Sequence, residues 1–420
     1  MNRRRRHIGV ALAAALVLAG CGEGFDEDPL AGSSIGSAPG RQSLGPATLQ
    51  VLIGSATSVE LEATRSIMQT WAQRTGNKVN VVASADLPQQ LGQGFAGGTP
   101  PDLFVLEPGA FSRYAQPGAL HTYAERLPGA DDIYPNLRSI FTHEGKFVCA
   151  PKDFSTLALV IDTEAWAGAG LTDADLPKDW AQLEAVAKRL TTPKRKGLVL
   201  MDDVDRIGAF FKQAGGWLVD PSGKKATVDS PQNLQALQYV QRLLRSGSAA
   251  FAKQIDSGWS GEALGKGSAA MVVEGNWVIG ALGKDYPQRK WRAVELPAGP
   301  AGKGTLAFTN CWGIPSVSKN RQAAENLVAH LTDVSQQNAL GEGFGVIPSR
   351  RLAASLFARS HPEQQAFLAG ADYAQGEPTA KGLESVLKDF DAQLLGLTSG
   401  ADPKAILAST QRNAEQVLGR

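Results

Sequence analysis

Three aspartates lie close together, Asp202, Asp203 and Asp205, a set of the kind that a glycosidase or a calcium site could use. A solvated loop ahead of a helix accounts for them more simply, and they are read as that. The histidines His7, His121, His143, His330 and His361 are scattered. With no H-E-x-x-H and no paired cysteines, the chain lacks metal-ligand spacing. No phosphate loop of the G-x-x-x-x-G-K-[ST] type and no G-x-S-x-G elbow occurs. Gly265-Lys266-Gly267 and Gly341-Glu342-Gly343-Phe344-Gly345 are glycine-rich but lack dinucleotide spacing. The two carboxylates of a glycosidase can be far apart in sequence, so a secreted carbohydrate-active enzyme stays open as a rival reading. Lys plus Arg (42) almost balances Asp plus Glu (41), which argues against a nucleic-acid footprint or a strongly charged ligand. A neutral ligand fits that balance better.

One cysteine carries chemistry of another kind. Arg3 to Arg6 precede an apolar stretch from Ile8 to Leu18, and Leu18-Ala19-Gly20 leads into Cys21. A positive start, a short apolar run and small residues before the cut make a secretory signal. The run is too short to span a bilayer of ~30 Å as a helix. Leu-Ala-Gly-Cys resembles the lipobox, so residues 1–20 are expected to leave, with Cys21 lipidated and holding the chain to a membrane surface. Residues 21–47, rich in Gly, Ser, Pro and Ala, read as a flexible tether with a reach of roughly 25–30 Å. The expected location is outside the cytoplasm, anchored to the cell membrane. Two cysteines then remain, Cys149 and Cys311. A disulfide and a pair of buried thiols are both open, because bridging depends on a Cα separation that sequence does not report.

The elements that must position any site begin near Thr48. A body from there to Arg420 is too long for one ordinary core, so two lobes are expected. Leu49–Ile53, Lys78–Ala83 and Asp102–Leu106 read as strands, with a helix over Glu60–Thr75 between the first two. Strand, helix, strand at this spacing predicts βαβ units and a largely parallel sheet. Ligands of open α/β sheets sit at the carboxyl ends of strands, which marks Ser55 and Glu107. Short strands follow at Phe147–Pro151, Leu157–Ile161, Met271–Val273 and Leu306–Ile314. Helices are predicted over Ala181–Leu190, Pro231–Arg245, Lys319–Thr332, Lys381–Leu397 and Pro403–Leu418.

The order of these pieces resembles the extracellular solute-binding proteins of bacterial ABC importers, in the carbohydrate-binding family that includes maltose-binding protein. The pieces are Pro101–Val105, Gly145–Phe147, Ala150–Asp153, Leu157–Asp162 and Pro177–Trp180. They continue through Gly215–Trp217, Gly267–Met271, Glu274–Trp277, Trp312–Pro315, Ser318–Asn320 and Gly345–Arg350. The resemblance implies a periplasmic-binding-protein-like fold: two α/β lobes joined by a hinge, with the ligand cleft between them. It implies crossings near Pro151–Asp153 and Asn310–Gly313. The lobes would be residues 48–151 with 312–365, and 152–311 with 366–420. Cys149 and Cys311 would both lie near the hinge, where a disulfide could brace it.

Sugars present apolar C–H faces and a rim of hydroxyls, so their sites need aromatic rings flanked by carboxylates, amides and basic side chains. Trp277 and Trp312 resemble family positions that stack on sugar rings. Trp71 and Trp180 read as core, and Trp217 and Trp259 as weaker candidates for the site. Asp153 and Glu107 are expected to accept hydroxyl hydrogen bonds, with Lys152 read as a surface partner of Asp153. Glu274, Asn276, Asn310, Arg350 and Ser55 complete the candidate set. The implied role is capture of a neutral mono- or oligosaccharide by hinge closure, without catalysis or cofactor, and delivery to a membrane permease. A monomer is expected. Glycerophosphodiesters and sugar phosphates are the other ligand class in the family. The absence of an Arg/Lys cluster stands against them. A sensor that partners a membrane kinase is a third role for the same clamp.

Overall fold

A computed structural model describes residues 46–54 and 58–419. The leader, Cys21, the tether up to Gly45, and Ser55 lie outside the described residues. The strands are β1 Thr48–Gly54, β2 Lys78–Ser84, β3 Leu103–Leu106, β4 Thr142–His143, β5 Lys146–Phe147, β6 Ala150–Asp162, β7 Lys196–Leu200, β8 Ala249–Phe251, β9 Ala269–Gly275, β10 Trp291–Val294, β11 Thr305–Gly313 and β12 Ala374–Gly376. The main sheet runs β2-β1-β3-β11-β6-β9-β7-β8. Its two ends are parallel: β1 pairs with β2 and β3, and β7 pairs with β8 and β9. Helices must return the chain between parallel strands, which is why both ends are wrapped in helices and the inner strands β3 and β9 are buried throughout, whereas the edge strand β2 is largely exposed.

The two parallel ends are the cores of two α/β lobes. The first buries Leu49, Val51, Trp71, Phe104, Phe111 and Tyr123 in one cluster. The second buries Leu183, Leu198, Phe211, Tyr239, Met271 and Phe390 in another. The long strands β6 and β11 lie antiparallel between them, with Phe308 opposite Ser155 and Trp312 opposite Ala150. Cys149, just before β6, is bonded to Cys311 in β11, with a Cα separation of 5.7 Å.

Several boundaries differ from expectation. The strand expected at Phe147–Pro151 is divided, Phe147 falling in β5 and Ala150–Pro151 joining the expected Leu157–Ile161 in one 13-residue strand, β6, buried throughout. The polar run Lys152–Thr156 stays extended because β11 pairs with it and its side chains find partners, such as Thr156 Oγ1 donating to the Phe367 carbonyl. Lys381–Leu397 is a helix from Leu383 to Leu394 followed by a tighter turn to Ser399, stopped by Gly400 at φ +96°. The helix Pro231–Arg245 begins as expected, with Ser230 accepting from Asn233 N at 3.2 Å and Pro231 in the first turn.

Candidate functional site

Along β11 the side chains alternate, so Phe308, Asn310 and Trp312 share one face. That face meets the carboxyl ends of β1, β2 and β3 at a cavity of about 420 Å³, whose walls include Glu60, Ser84, Glu107, Lys152, Asn310 and Trp312. Three expected site residues, Glu107, Asn310 and Trp312, are therefore brought together here. The Asn310 amide makes no hydrogen bond to the protein among the described residues and is half-buried at the cavity. Trp312 lines the cavity but is 1% exposed, and its carbonyl accepts from Tyr123 Oη. Glu107 stands at the start of the helix Pro108–Ala115. Burial pushes its pKa up, Glu384 of the other lobe adds to that, and Lys388 partly offsets it.

Lys152 is not a surface residue. It is 9% exposed, is ion-paired with Asp153, and lies 3.4 Å from Glu60. Burial opposes its charge, but Asp153 and Glu60 outweigh burial and hold its pKa above the usual lysine value. Asp153 is 8% exposed and engaged by Lys152, so the ammonium rather than the carboxylate reaches the cavity wall.

The second lobe contributes an aromatic and charged wall. Trp277 opens the helix Trp277–Asp285, and its ring meets Phe308 edge-on at 5.3 Å. A Cβ on Gly275 would lie 2.2 Å from that ring, so the glycine is what lets the indole lie against the end of β9. Glu274 is fully buried and accepts from Trp277 Nε1 and Arg206 Nη2, each at 2.8 Å, and from Ser260 Oγ. It orients Trp277 and Arg206, whose guanidinium carbon sits 5.2 Å from the centroid of the Trp277 ring. Asn276 is also buried, its amide donating to the Gly345 carbonyl at 2.7 Å and Gln364 Oε1 at 3.1 Å. Arg350 is placed away from both walls, with Nε donating to Asp132 Oδ2 at 3.1 Å. It also donates from Nη1 to the Thr332 carbonyl at 3.4 Å, so its side chain ties three segments of the chain together.

The aspartates read as a solvated loop are a correction. Asp202 is 7% exposed and paired with Lys253 at 2.9 Å. Asp203 caps the helix Val204–Gln213, accepting from Arg206 N at 3.0 Å. Burial pushes Asp203 up to about 6 against the pull of Arg206, and pushes Asp205 up as well. Glu377 is pushed up to about 8, first by burial and then by Asp205 and Glu107, so carboxylates of both lobes face it. The sequence signal for this cluster was an aspartate cap followed by apolar Ile207, Phe210 and Phe211 at helical spacing.

Rings, a free amide and carboxylates of high pKa suit hydroxyl groups, which both donate and accept. Among the described residues, no group of three His, Cys, Asp or Glu side chains is placed to hold a metal ion. The sequence pattern shared by bacterial extracellular solute-binding proteins matches residues 66–364. The chain belongs to that family. This solute-binding protein is 27% identical over 299 residues to a probable ABC transporter-binding protein of Deinococcus radiodurans, a match that covers 64% of this chain and 68% of the relative. Its fold is that of the sugar-binding protein MalE of Xanthomonas citri, with a TM-score of 0.80, 17% identity, and coverage of 89% of this chain and 97% of the other. UgpB of Mycobacterium tuberculosis, solved with glycerophosphocholine, is similar at a TM-score of 0.74 and 18% identity, over 90% of this chain and 99% of that one.

Proposed function

We propose that this solute-binding protein captures a neutral saccharide between its lobes and delivers it to the permease of an ABC importer. The observation that carries the reading is the cavity at the strand ends, where Trp312, the unbonded Asn310 amide and Glu107 converge. A pyranose ring has apolar C–H groups for the rim of the buried indole and hydroxyls for the amide and carboxylate. The similarity to a sugar-binding protein supports the ligand class, and the relative named as an ABC transporter-binding protein supports the import role. Residues 48–151 with 312–365, and 152–311 with 366–420, are the proposed lobes. The second core cluster lies within the second of these, Phe390 and Leu407 included, while the first holds Leu327 and Leu340 but runs on into Val160, Val199 and Val272. Ligand touching both lobes would stabilise the closed form and so shift an open–closed equilibrium.

Glycerophosphocholine in UgpB favours a phosphodiester as the second reading. Against it, Lys152 and Arg206 at the site already hold carboxylate partners. The protein is proposed to work as a monomer, without catalysis or cofactor. It is proposed to be held outside the cytoplasm by lipidated Cys21. Among the described residues no helix is long and apolar enough to cross a membrane. Mass spectrometry of the mature N-terminus, with Cys21→Ala as control, tests the anchor. A thermal-shift panel of saccharides and glycerophosphodiesters tests the ligand. A saccharide that raises the melting temperature and is recovered intact supports capture. A shift with the phosphodiester alone selects the second reading, and a cleaved sugar refutes both.

A further inference from the structure

Two other cavities, of about 160 and about 1100 Å³, lie further along the helix Pro108–Ala115, sharing no wall residue with the Trp312 cavity. Both have Trp217, Glu377 and Pro378 in their walls, so they meet at the indole. The helix Pro108–Ala115 passes along the whole series. Glu107 at its start faces the Trp312 cavity, Gly109 the small cavity and Phe111 the large one. Opposite it, the helix Val204–Gln213 gives Asp205 to the small cavity and Lys212 to the large one.

Trp217 is fixed in place by the protein alone. Gly215 takes φ +84°, and the Gly216 N–H donates to the Phe211 carbonyl at 2.8 Å. The Trp217 carbonyl accepts from Asn233 Nδ2 at 2.9 Å and Thr227 Oγ1 at 3.0 Å. Asn233 itself is fully buried. The ring edge passes over Gly208, where a Cβ would come within 3.3 Å of it. Among the described residues the indole Nε1 has no hydrogen-bond acceptor. Lys212 Nζ, 5.6 Å from the ring centroid, has no carboxylate partner there either. A rigid ring with a free N–H beside an ammonium with free donors matches the face and hydroxyls of a sugar ring.

We propose that the large cavity is a distal subsite centred on Trp217, and that the ligand is an oligosaccharide long enough to reach it from the Trp312 cavity. This rests on the saccharide-capture reading. A monosaccharide or disaccharide held at Trp312 would leave the larger part of the cleft unused, since about 420 Å³ already falls within the ~300–1,000 Å³ of ordinary ligand pockets.

The test is calorimetric titration of the purified protein with gluco-, manno- and xylo-oligosaccharides from mono- to hexasaccharide, repeated with Trp217→Ala and Lys212→Met. In one series, affinity is expected to rise with length. Trp217→Ala should then weaken the longest member about tenfold, the loss of one stacking contact, and leave the shortest binder within about twofold. Lys212→Met should show the same length-selective loss, and it carries the test if circular dichroism finds the tryptophan variant misfolded. Saccharide binding that is flat with length, or losses equal for short and long members, overturns the distal subsite while leaving saccharide capture standing. Absence of binding by any saccharide overturns both.

Discussion

Removing Glu274 should cost more than any other single change at the cleft. Its carboxylate is fully buried and serves four donors, of which Arg206 carries a charge that is itself only 13% exposed. Glu274→Ala leaves that guanidinium with Asp203 at 3.3 Å as its remaining partner. Breaking a buried pair from one side costs about 3–5 kcal/mol, mostly the penalty of the stranded charge. Glu274→Gln keeps the shape and an acceptor for Trp277 but weakens the charged bond, for about 1.5–3 kcal/mol. Replacing both partners, as Arg206→Met with Glu274→Leu, removes both buried charges together. The double variant should therefore lose at least about 2 kcal/mol less than the two single losses added. Guanidinium unfolding followed by circular dichroism and by tryptophan emission reads these variants together with the single changes Arg206→Met and Glu274→Leu, and the emission also reports the lost Trp277 hydrogen bond. The reasoning fails if Glu274→Ala stays within about 0.5 kcal/mol of the parent, or if the paired replacements are additive.

Replacing Cys149 and Cys311 together by alanine should lower stability by about 2–5 kcal/mol, since the chain-entropy value for a span of 162 residues is about 5 kcal/mol. Denaturant midpoints of the variant and of the reduced parent should then agree. Glu377 holds a proton in the folded protein up to about pH 8, whereas the unfolded chain loses it near 4.5. The folded state thus binds more protons across that window, and this residue's contribution to stability must fall as pH rises through it. Glu377→Gln should flatten that decline in unfolding measured from about pH 5 to 8.5. Gly275→Ala drives a methyl into the Trp277 ring and should cost about 1–3 kcal/mol, together with saccharide affinity, by unfolding and titration.

Much of the frame was legible because burial leaves a plain trace. The apolar run of β1, the cap and proline that open Pro231–Arg245, and the ordered pieces from Pro101 to Arg350 all survive in the structure. Less legible was whatever depends on a neighbour distant in sequence. Lys152–Thr156 carries no strand signal because all but Phe154 of its residues are polar, yet β11 pairs with it and makes a strand. Asp202, Asp203 and Asp205 look like a solvated face because what buries them is remote in the chain: Lys253 pairs with Asp202, and Glu377 comes close enough to Asp205 for the two carboxylates to repel. Glu274, Asn276 and Arg350 were marked as polar groups near the cleft. Sequence did not show that Arg206, Gly345 and Asp132 would engage them. Trp217, rated low by sequence, lines two cavities because Asn233 and Gly208 hold it there.

The bond between Cys149 and Cys311 also decides how the protein answers mechanical load. Everything from β6 to the middle of β11 lies inside the covalent loop it closes, 162 residues apart in sequence. Force applied along the chain from its two ends bypasses that loop, so ~550 Å of contour, at ~3.4 Å per residue, stays withheld until the sulfurs are reduced. A proteolytic cut inside the loop would likewise leave two pieces that travel as one. In a pulling experiment, adding a reductant should lengthen the extension by that amount.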